Sequence, residues 1–216
     1  MRIYIYKIFS KGVLKMKLKY EGRTKKFGKY TLQEIKESLS DKCRFDPIYW
    51  TNLFEKAVYK GWSEIIEILL KDGRVNPAAN NNEAIRLASK NGHIKVVELL
   101  LSDKRVNPAA GYSNAIQYAS GNEHIEIAKL LLKDERVDPS AGYNYAMRLA
   151  IKYGRTEVVR LLLSDKRIDP SAGYNYAMRL AIKYGRTEVV RLLLSDKRID
   201  PSAGYNYAMR LAIKYG

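Results

Sequence analysis

His93, His124 and Cys43 are the residue types here best able to ligate a metal or attack a substrate, and their spacing argues against both. The histidines stand 31 residues apart, and Arg155 and Arg186 replace them at the next two intervals of 31. A metal centre needs ligands that converge, and arginine keeps its proton and cannot be one. The two histidines therefore read as one recurring turn position, and no metal or cofactor is expected. Cys43 has no histidine at a suggestive spacing and reads as a packed or bystander thiol. Phosphate-cradling glycine loops and nucleophile elbows are absent, and acids are scarce in the repeats. The chain is not expected to be an enzyme.

What does recur with usable chemistry is a set of cations and aromatics. At intervals of 31, three columns run Glu55, Arg86, Gln117, Arg148, Arg179, Arg210; then Tyr59, Lys90, Gly121, Lys152, Lys183, Lys214; then Lys60, Asn91, Asn122, Tyr153, Tyr184, Tyr215. Toward the C-terminus they become a ladder of Arg, Lys and Tyr. Such a ladder suits an acidic protein segment, or single-stranded nucleic acid through stacking and phosphate contacts. The candidate contact residues are Arg86, Lys90, Asn91 and Asn122, and then Arg148, Lys152, Tyr153, Arg179, Lys183, Tyr184, Arg210, Lys214 and Tyr215. A solvated face is the competing reading. Two solvated charges about 10 Å apart repel by only about 0.4 kcal/mol in water, so a ladder needs no partner to be tolerated. Tyr143, Tyr145 and Tyr153 can equally fill loops and gaps between repeats.

The elements that must carry these columns follow from an unusual redundancy. Asp138–Ile168 is repeated letter for letter as Asp169–Ile199, and Asp200 opens a third copy that runs to Gly216. A period in this range marks a stacked array, in which each unit buries its apolar face against its neighbours. All six prolines fall in frame, at Pro47, Pro77, Pro108, Pro139, Pro170 and Pro201. Each follows an Arg-apolar-Asp/Asn step (RFDP, RVNP, RVNP, RVDP, RIDP, RIDP), and proline stops a helix and pushes the preceding residue toward extended geometry. These steps are the loops between repeats.

Between prolines the pattern is helix, tight turn, helix. In the perfect copy Asn144 is placed to cap a first helix that runs to about Tyr153 and ends at Gly154. Ala146, Met147, Leu149, Ala150 and Ile151 make that helix apolar over most of its circumference, with Tyr145, Arg148 and Lys152 as a polar stripe. A second helix opens at Thr156, with Val158, Leu161 and Leu162 inward and Glu157, Arg160 and Ser164 outward. The fold class is all-α, a helix-turn-helix repeat solenoid with a small irregular N-terminal segment. A half repeat spans residues 31–45, full repeats span 46–75, 76–106, 107–137, 138–168 and 169–199, and a half repeat spans 200–216.

The run Gly92-His93-Ile94-Lys95-Val96-Val97-Glu98-Leu99-Leu100-Leu101 and the segment Ala84-Ile85-Arg86-Leu87-Ala88 carry a resemblance to the ankyrin repeat, over roughly residues 44–216. That resemblance implies a scaffold for protein–protein interaction, with the concave first-helix stripe as its contact face. The family's Thr-Pro-Leu-His is replaced by Glu83-Ala84-Ile85-Arg86 or Tyr145-Ala146-Met147-Arg148, and the period is two residues short of the usual length. Shortened or irregular loops are expected in place of the family's β-hairpin fingers. The 31-residue, proline-punctuated type is similar to the ankyrin proteins of large DNA viruses of amoebae.

Composition sets the remaining bounds. The net charge is +16, about half of it within residues 1–42. Each perfect repeat adds Arg148, Lys152, Arg155, Arg160, Lys166 and Arg167 against Asp138, Glu157 and Asp165. The expected partner is therefore an acidic protein, with nucleic acid, held by the basic N-terminal arm and the ladder, as the alternative. No segment reaches the ~20 apolar residues of a membrane span, and MRIYIYKIF is a poor signal peptide. One cysteine fits a reducing compartment. An intracellular, cytoplasmic protein is expected, in the host cytoplasm if the chain is viral.

The ends depart from the period. Thr31-Leu32-Gln33-Glu34 is a capping-box pattern opening a helix to about Leu39. Residues 1–30 read as a short strand or hairpin, or as disorder. At the other end Met209, Leu211 and Ile213 lack a covering second helix, and a missing repeat or a partner is expected there. Identity at buried and exposed positions alike marks recent copying, so the worn repeats from Arg44 to Val137 are the better guide to a binding face.

Overall fold

Each Arg-apolar-Asx-Pro step from Arg74 onward ends one helix pair and begins the next first helix. The computed structural model describes residues 4–10, 13–19, 26–27, 30–31, 33, 35–36, 47–203, 206, 210 and 213–214. The five first helices are α1 (Pro47–Lys60), α3 (Ala79–Asn91), α5 (Ala110–Gly121), α7 (Ala141–Lys152) and α9 (Ala172–Lys183). The second helices are α2 (Ser63–Asp72), α4 (Ile94–Ser102), α6 (Ile125–Lys133), α8 (Thr156–Leu163) and α10 (Thr187–Ser195). First helices stack on first helices and second on second, which makes one two-layered solenoid of residues 43–216. Residues 1–42 cluster as a separate unit. In it β1 (Tyr4–Ser10) pairs antiparallel with β2 (Val13–Lys19), and β3 (Lys26–Phe27) with β4 (Tyr30–Thr31). Of the helix expected from Thr31 to Leu39, Gln33, Ile35 and Lys36 are helical and Thr31 itself ends β4, while Leu32, Glu34 and 37–39 lie outside the described residues, as does Cys43.

The core is a row of aliphatic triplets from the second helices. Ile65, Ile66 and Leu69, then Val96, Val97 and Leu100, then Val158, Val159 and Leu162, are fully buried. Burying each such side chain contributes about 1.5–3 kcal/mol. The inward face of α8 is thus shifted from the expected Val158, Leu161 and Leu162. Val159 is buried and Leu161 only half-buried. The second helix must cover its own first helix and both stacked neighbours, so it buries the two consecutive valines rather than one narrow stripe.

Asn144 does not cap α7 as expected. Gly142, Tyr143 and Asn144 all have left-handed backbone, with φ of 63, 57 and 58°. They form a single left-handed turn, closed by the Asn144 N–H donating to the Ser140 carbonyl at 2.8 Å. Three asparagines (Asn80 to Asn82), Gly111-Tyr112-Ser113 and Gly173-Tyr174-Asn175 repeat it. These turns occupy the place of hairpin fingers, so the loops are irregular, as expected. Left-handed backbone costs an L-residue roughly 1–2 kcal/mol, with Asn more tolerant than most. Side-chain ties to the following repeat offset it. Asn82 Oδ1 accepts the Asn107 N–H at 2.7 Å, Ser113 Oγ accepts the Asp138 N–H at 3.1 Å, and the Asn144 amide donates to the Asp169 carbonyl at 2.5 Å.

In four of the proline steps, at Arg105, Arg136, Arg167 and Arg198, the arginine binds two repeats together. Arg167 forks onto Asp165 through Nε at 2.9 Å and Nη2 at 2.6 Å, then donates to the carbonyls of Val137 (2.9 Å) and Leu132 (2.8 Å) in the preceding repeat. Arg105, Arg136 and Arg198 make the same four bonds, on Asp103, Asp134 and Asp196 respectively. A planar guanidinium with five donors can satisfy a carboxylate edge and two carbonyls at once, and lysine cannot.

Hydrogen bonds from these guanidinium groups hold the Asp103, Asp134, Asp165 and Asp196 carboxyls below the ordinary carboxylate range. In the unfolded chain they protonate near the usual value of about 3.9. Their contribution to stability is therefore complete above that value and is lost as pH falls through the lower folded values. Urea unfolding followed by circular dichroism should keep a constant midpoint from neutrality to about pH 5 and lose it below about pH 4. Arg167→Ala should destabilise by about 1–2 kcal/mol, the half-exposed fork being partly screened, and Arg167→Lys should recover little of that.

Candidate interaction surface

Sorting the cations by what they already hold separates the two layers. On each second helix a cation pairs with a carboxylate of the same helix. Lys71 pairs with Glu67 at 2.7 Å, Lys95 with Glu98 at 2.9 Å, Lys129 with Glu126 at 2.7 Å, Arg160 with Glu157 at 3.5 Å and Arg191 with Glu188 at 3.5 Å. The loop arginines are forked onto aspartates. The positive excess of the described repeats is left chiefly on the first helices and their turns.

There Arg86, Arg148 and Arg179 of the first column are half-buried. Arg86 donates to the Asn80 carbonyl at 3.0 Å, Arg148 to Gly142 at 3.2 Å and Arg179 to Gly173 at 2.9 Å, each fastening its own left-handed turn. Gln117 does the same toward Tyr112 at 2.6 Å. The Arg148 guanidinium also lies between two rings, 5.1 Å from the centroid of Tyr145 and 4.9 Å from that of Tyr176 in the next repeat. Arg179 caps Tyr176 from its other side at 4.9 Å. This column holds turns and neighbouring repeats together before it meets any partner.

The second column is different. Lys90, Lys152 and Lys183 are exposed, and none forms an ion pair with a carboxylate among the described residues. Their Nζ atoms hover over Tyr118 (5.9 Å), Tyr153 (5.3 Å) and Tyr184 (5.9 Å). In the third column Asn91 donates to the Tyr59 carbonyl at 3.5 Å and Asn122 to the Tyr118 carbonyl at 2.8 Å, while Tyr153 and Tyr184 are exposed. Arg210, Lys214 and Ile213 are exposed, and Met209, Leu211 and Tyr215 lie outside the described residues. Free cations and accessible rings therefore coincide at Lys90, Lys152, Tyr153, Lys183 and Tyr184.

The recurring turn position is a tie between repeats. His93 Nε2 meets the Tyr59 carbonyl at 2.9 Å and His124 Nε2 meets that of Lys90 at 3.1 Å. Arg186 donates to Lys152 at 2.8 Å in the same way, and Arg155 reaches Gly121 at 3.4 Å while pairing with Glu123 at 2.7 Å. Any side chain with a donor at that reach serves, which is why Arg can replace His there. The imidazole sits so close that a Cβ on Gly61 would lie 2.6 Å from His93 Nδ1. Since Gly61 also has φ +70°, only glycine fits that turn.

The rings at the turn tips give no signal of their position in sequence. Tyr112, Tyr143 and Tyr174 sit in the middle of the left-handed turns and are 84, 86 and 76% exposed. Tyr143 fills neither a loop nor a gap between repeats, because the left-handed backbone swings its Cβ away from both helices. Two clefts open between first helices. One of about 260 Å³ lies between α1 and α3, against Phe54, Val58, Pro77 and Leu87. The other, of about 560 Å³, lies between α5 and α7.

The family model for ankyrin repeats, in three copies, matches residues 26–110 and 103–173, more than half of the chain. No curated protein matches it.

Arg and Lys on this face should separate by experiment. Lys152→Gln with Lys183→Gln should leave thermal unfolding within about 0.5 kcal/mol of the parent, as expected for exposed side chains whose one contact is the face of an exposed ring. Arg148→Ala should cost about 1–2 kcal/mol, through the lost tie to Gly142 and the two ring contacts. Equal melting curves for the two variants would contradict the division.

Proposed function

The chain belongs to the ankyrin-repeat family, and from that premise we propose that it binds an acidic segment of a partner protein along its first-helix face, without catalysis. Ankyrin repeats are in general scaffolds for protein interaction. The observation that carries the choice of partner is the uneven charge balance. Second helices and loops carry about as many carboxylates as cations. By contrast α7 and α9 carry Arg148, Lys152, Arg179 and Lys183 and no carboxylate, and neither these lysines nor Lys90 forms an ion pair among the described residues. A row of unpaired ammonium groups beside accessible rings favours an anionic, partly apolar strand of protein, and it speeds encounter more than it tightens the final complex. Arg86, Arg148 and Arg179 support the face from beneath. The exposed Asn122, Tyr153 and Tyr184, and Arg210, Lys214 and Tyr215 further along, extend it.

Nucleic acid is the second reading, favoured by the same lysines and by the exposed rings of Tyr112, Tyr143 and Tyr174. No described helix is long and apolar enough to cross a membrane. The 31-residue period supports the short type similar to the ankyrin proteins of large DNA viruses of amoebae, and with it action in the cytoplasm, of a host if viral.

A salt titration of the intact chain separates the two partners. With an oligothymidine, neutralisation of several phosphates predicts a steep loss of affinity, on the order of 10³-fold or more between about 50 and 200 mM salt. With a polyglutamate peptide, binding should be measurable at low salt and fall several-fold when Lys152, Lys183 and Lys214 are replaced together by glutamine. Oligothymidine binding with no peptide binding would replace the protein reading with the nucleic-acid one. An unchanged peptide affinity in the triple variant would remove this face from the proposal.

A further inference from the structure

The cleft between α5 and α7 falls where the lysine column is interrupted. Gly121 stands at the position of Lys90, Lys152 and Lys183, and its missing side chain opens a space of about 560 Å³ walled by Tyr118, Tyr145 and Tyr153 over Leu149. That volume lies in the range of sites that enclose a small molecule or a large side chain. Each ring already has a cation at its face. Lys90 Nζ is 5.9 Å from Tyr118, the Arg148 guanidinium 5.1 Å from Tyr145, and Lys152 Nζ 5.3 Å from Tyr153. Arg155, also on the wall, is paired with Glu123 at 2.7 Å. A cationic occupant is thereby disfavoured, because Lys90, Arg148 and Lys152 already place positive charge at the wall rings and would repel it. An apolar ring flanked by carboxylates is favoured. The ring meets tyrosine edges and Leu149, and the carboxylates meet Lys90 and Lys152 on either side.

We propose that this cleft takes one aromatic side chain of an acidic partner segment and so sets the register in which that segment lies along the first helices. The proposal rests on the acidic-partner reading above and narrows it to a place. The period makes Gly121 an informative position. Its φ is not in the left-handed region, and a Cβ there would meet Leu149 and Tyr153 at 3.7–3.8 Å, ordinary contact distances. Alanine is therefore tolerated with the cleft still open, and lysine restores the residue found at the equivalent position of the neighbouring repeats.

The test measures fluorescence anisotropy of two labelled probes, a short polyglutamate peptide with one central phenylalanine and its alanine counterpart. The intact chain is compared with Gly121→Ala, Gly121→Lys and the uncharged filler Gly121→Met, each checked by circular dichroism. The phenylalanine peptide should bind the parent and Gly121→Ala about tenfold more tightly than the alanine peptide, and the two fillers should erase that preference. Equal affinities for the parent, or a preference that survives both fillers, overturns the cleft proposal and leaves the acidic-partner reading standing. No binding of either peptide overturns that reading and the cleft with it. An oligothymidine that displaces the phenylalanine peptide from the parent but not from Gly121→Met assigns the cleft to a nucleobase and overturns the proposal.

Discussion

One guanidinium per repeat holds the solenoid in register. In the four steps from Arg105 to Arg198 the arginine must reach the aspartate two residues before it and two carbonyls of the preceding repeat, 30 and 35 residues back. Those offsets recur unchanged at Arg105, Arg136, Arg167 and Arg198. An insertion inside a repeat would move the carbonyls out of reach of the fork, so the length of the period is a hydrogen-bonding requirement as much as a packing one. The proline that follows frees the chain to turn, and the next Asx side chain closes that turn locally. Ser140 N–H and Oγ both donate to Asp138 at 2.9 and 2.7 Å. The arrangement is nearest-neighbour throughout, as expected of a quasi-one-dimensional protein.

The left-handed turn follows from that constraint. With hairpin fingers absent, the chain must reverse between the Asx-Pro step and the first helix within a few residues. Three consecutive left-handed residues do this, and their strain is offset by the Asn or Ser tie forward and the Arg or Gln tie back. The arginine column thus has a structural duty that a glance at charge would miss. Lys90, Lys152 and Lys183 beside it form no ion pair among the described residues, and they make the first-helix face an electrostatic surface.

Much of this was legible in the residues. The six in-frame prolines and the letter-perfect copies put the loops, the helix pairs and their stacking within reach of inspection. Asn144 was not legible in the same way, because asparagine favours a helix cap and the left-handed region for related reasons, and only the geometry of the turn decides between them. Arg148 was ambiguous because its tie to Gly142 depends on a carbonyl that the unusual backbone turns toward it. Val159 and Leu161 exchanged places because a helix covered on three sides has no single inward stripe. The Gly121 cleft was visible as a break in a column, but its walls come from α7, and a column of letters does not say which helix faces a gap.

Letter-identical repeats have a consequence for any ligand read along them. Arg148, Lys152 and Tyr153 present the same chemistry as Arg179, Lys183 and Tyr184, one translation along the stack. A ligand that sees only this stretch has two equivalent footings and can slide from one to the other. The degeneracy is worth a factor of about two in apparent affinity, roughly 0.4 kcal/mol, and it erases any single defined pose. Unambiguous alignment has to come from an aperiodic mark. From α3 onward the glycine at 121 is the gap in a regular row of lysines, which makes the imperfection of the worn repeats the molecule's ruler and the perfection of the later ones its track.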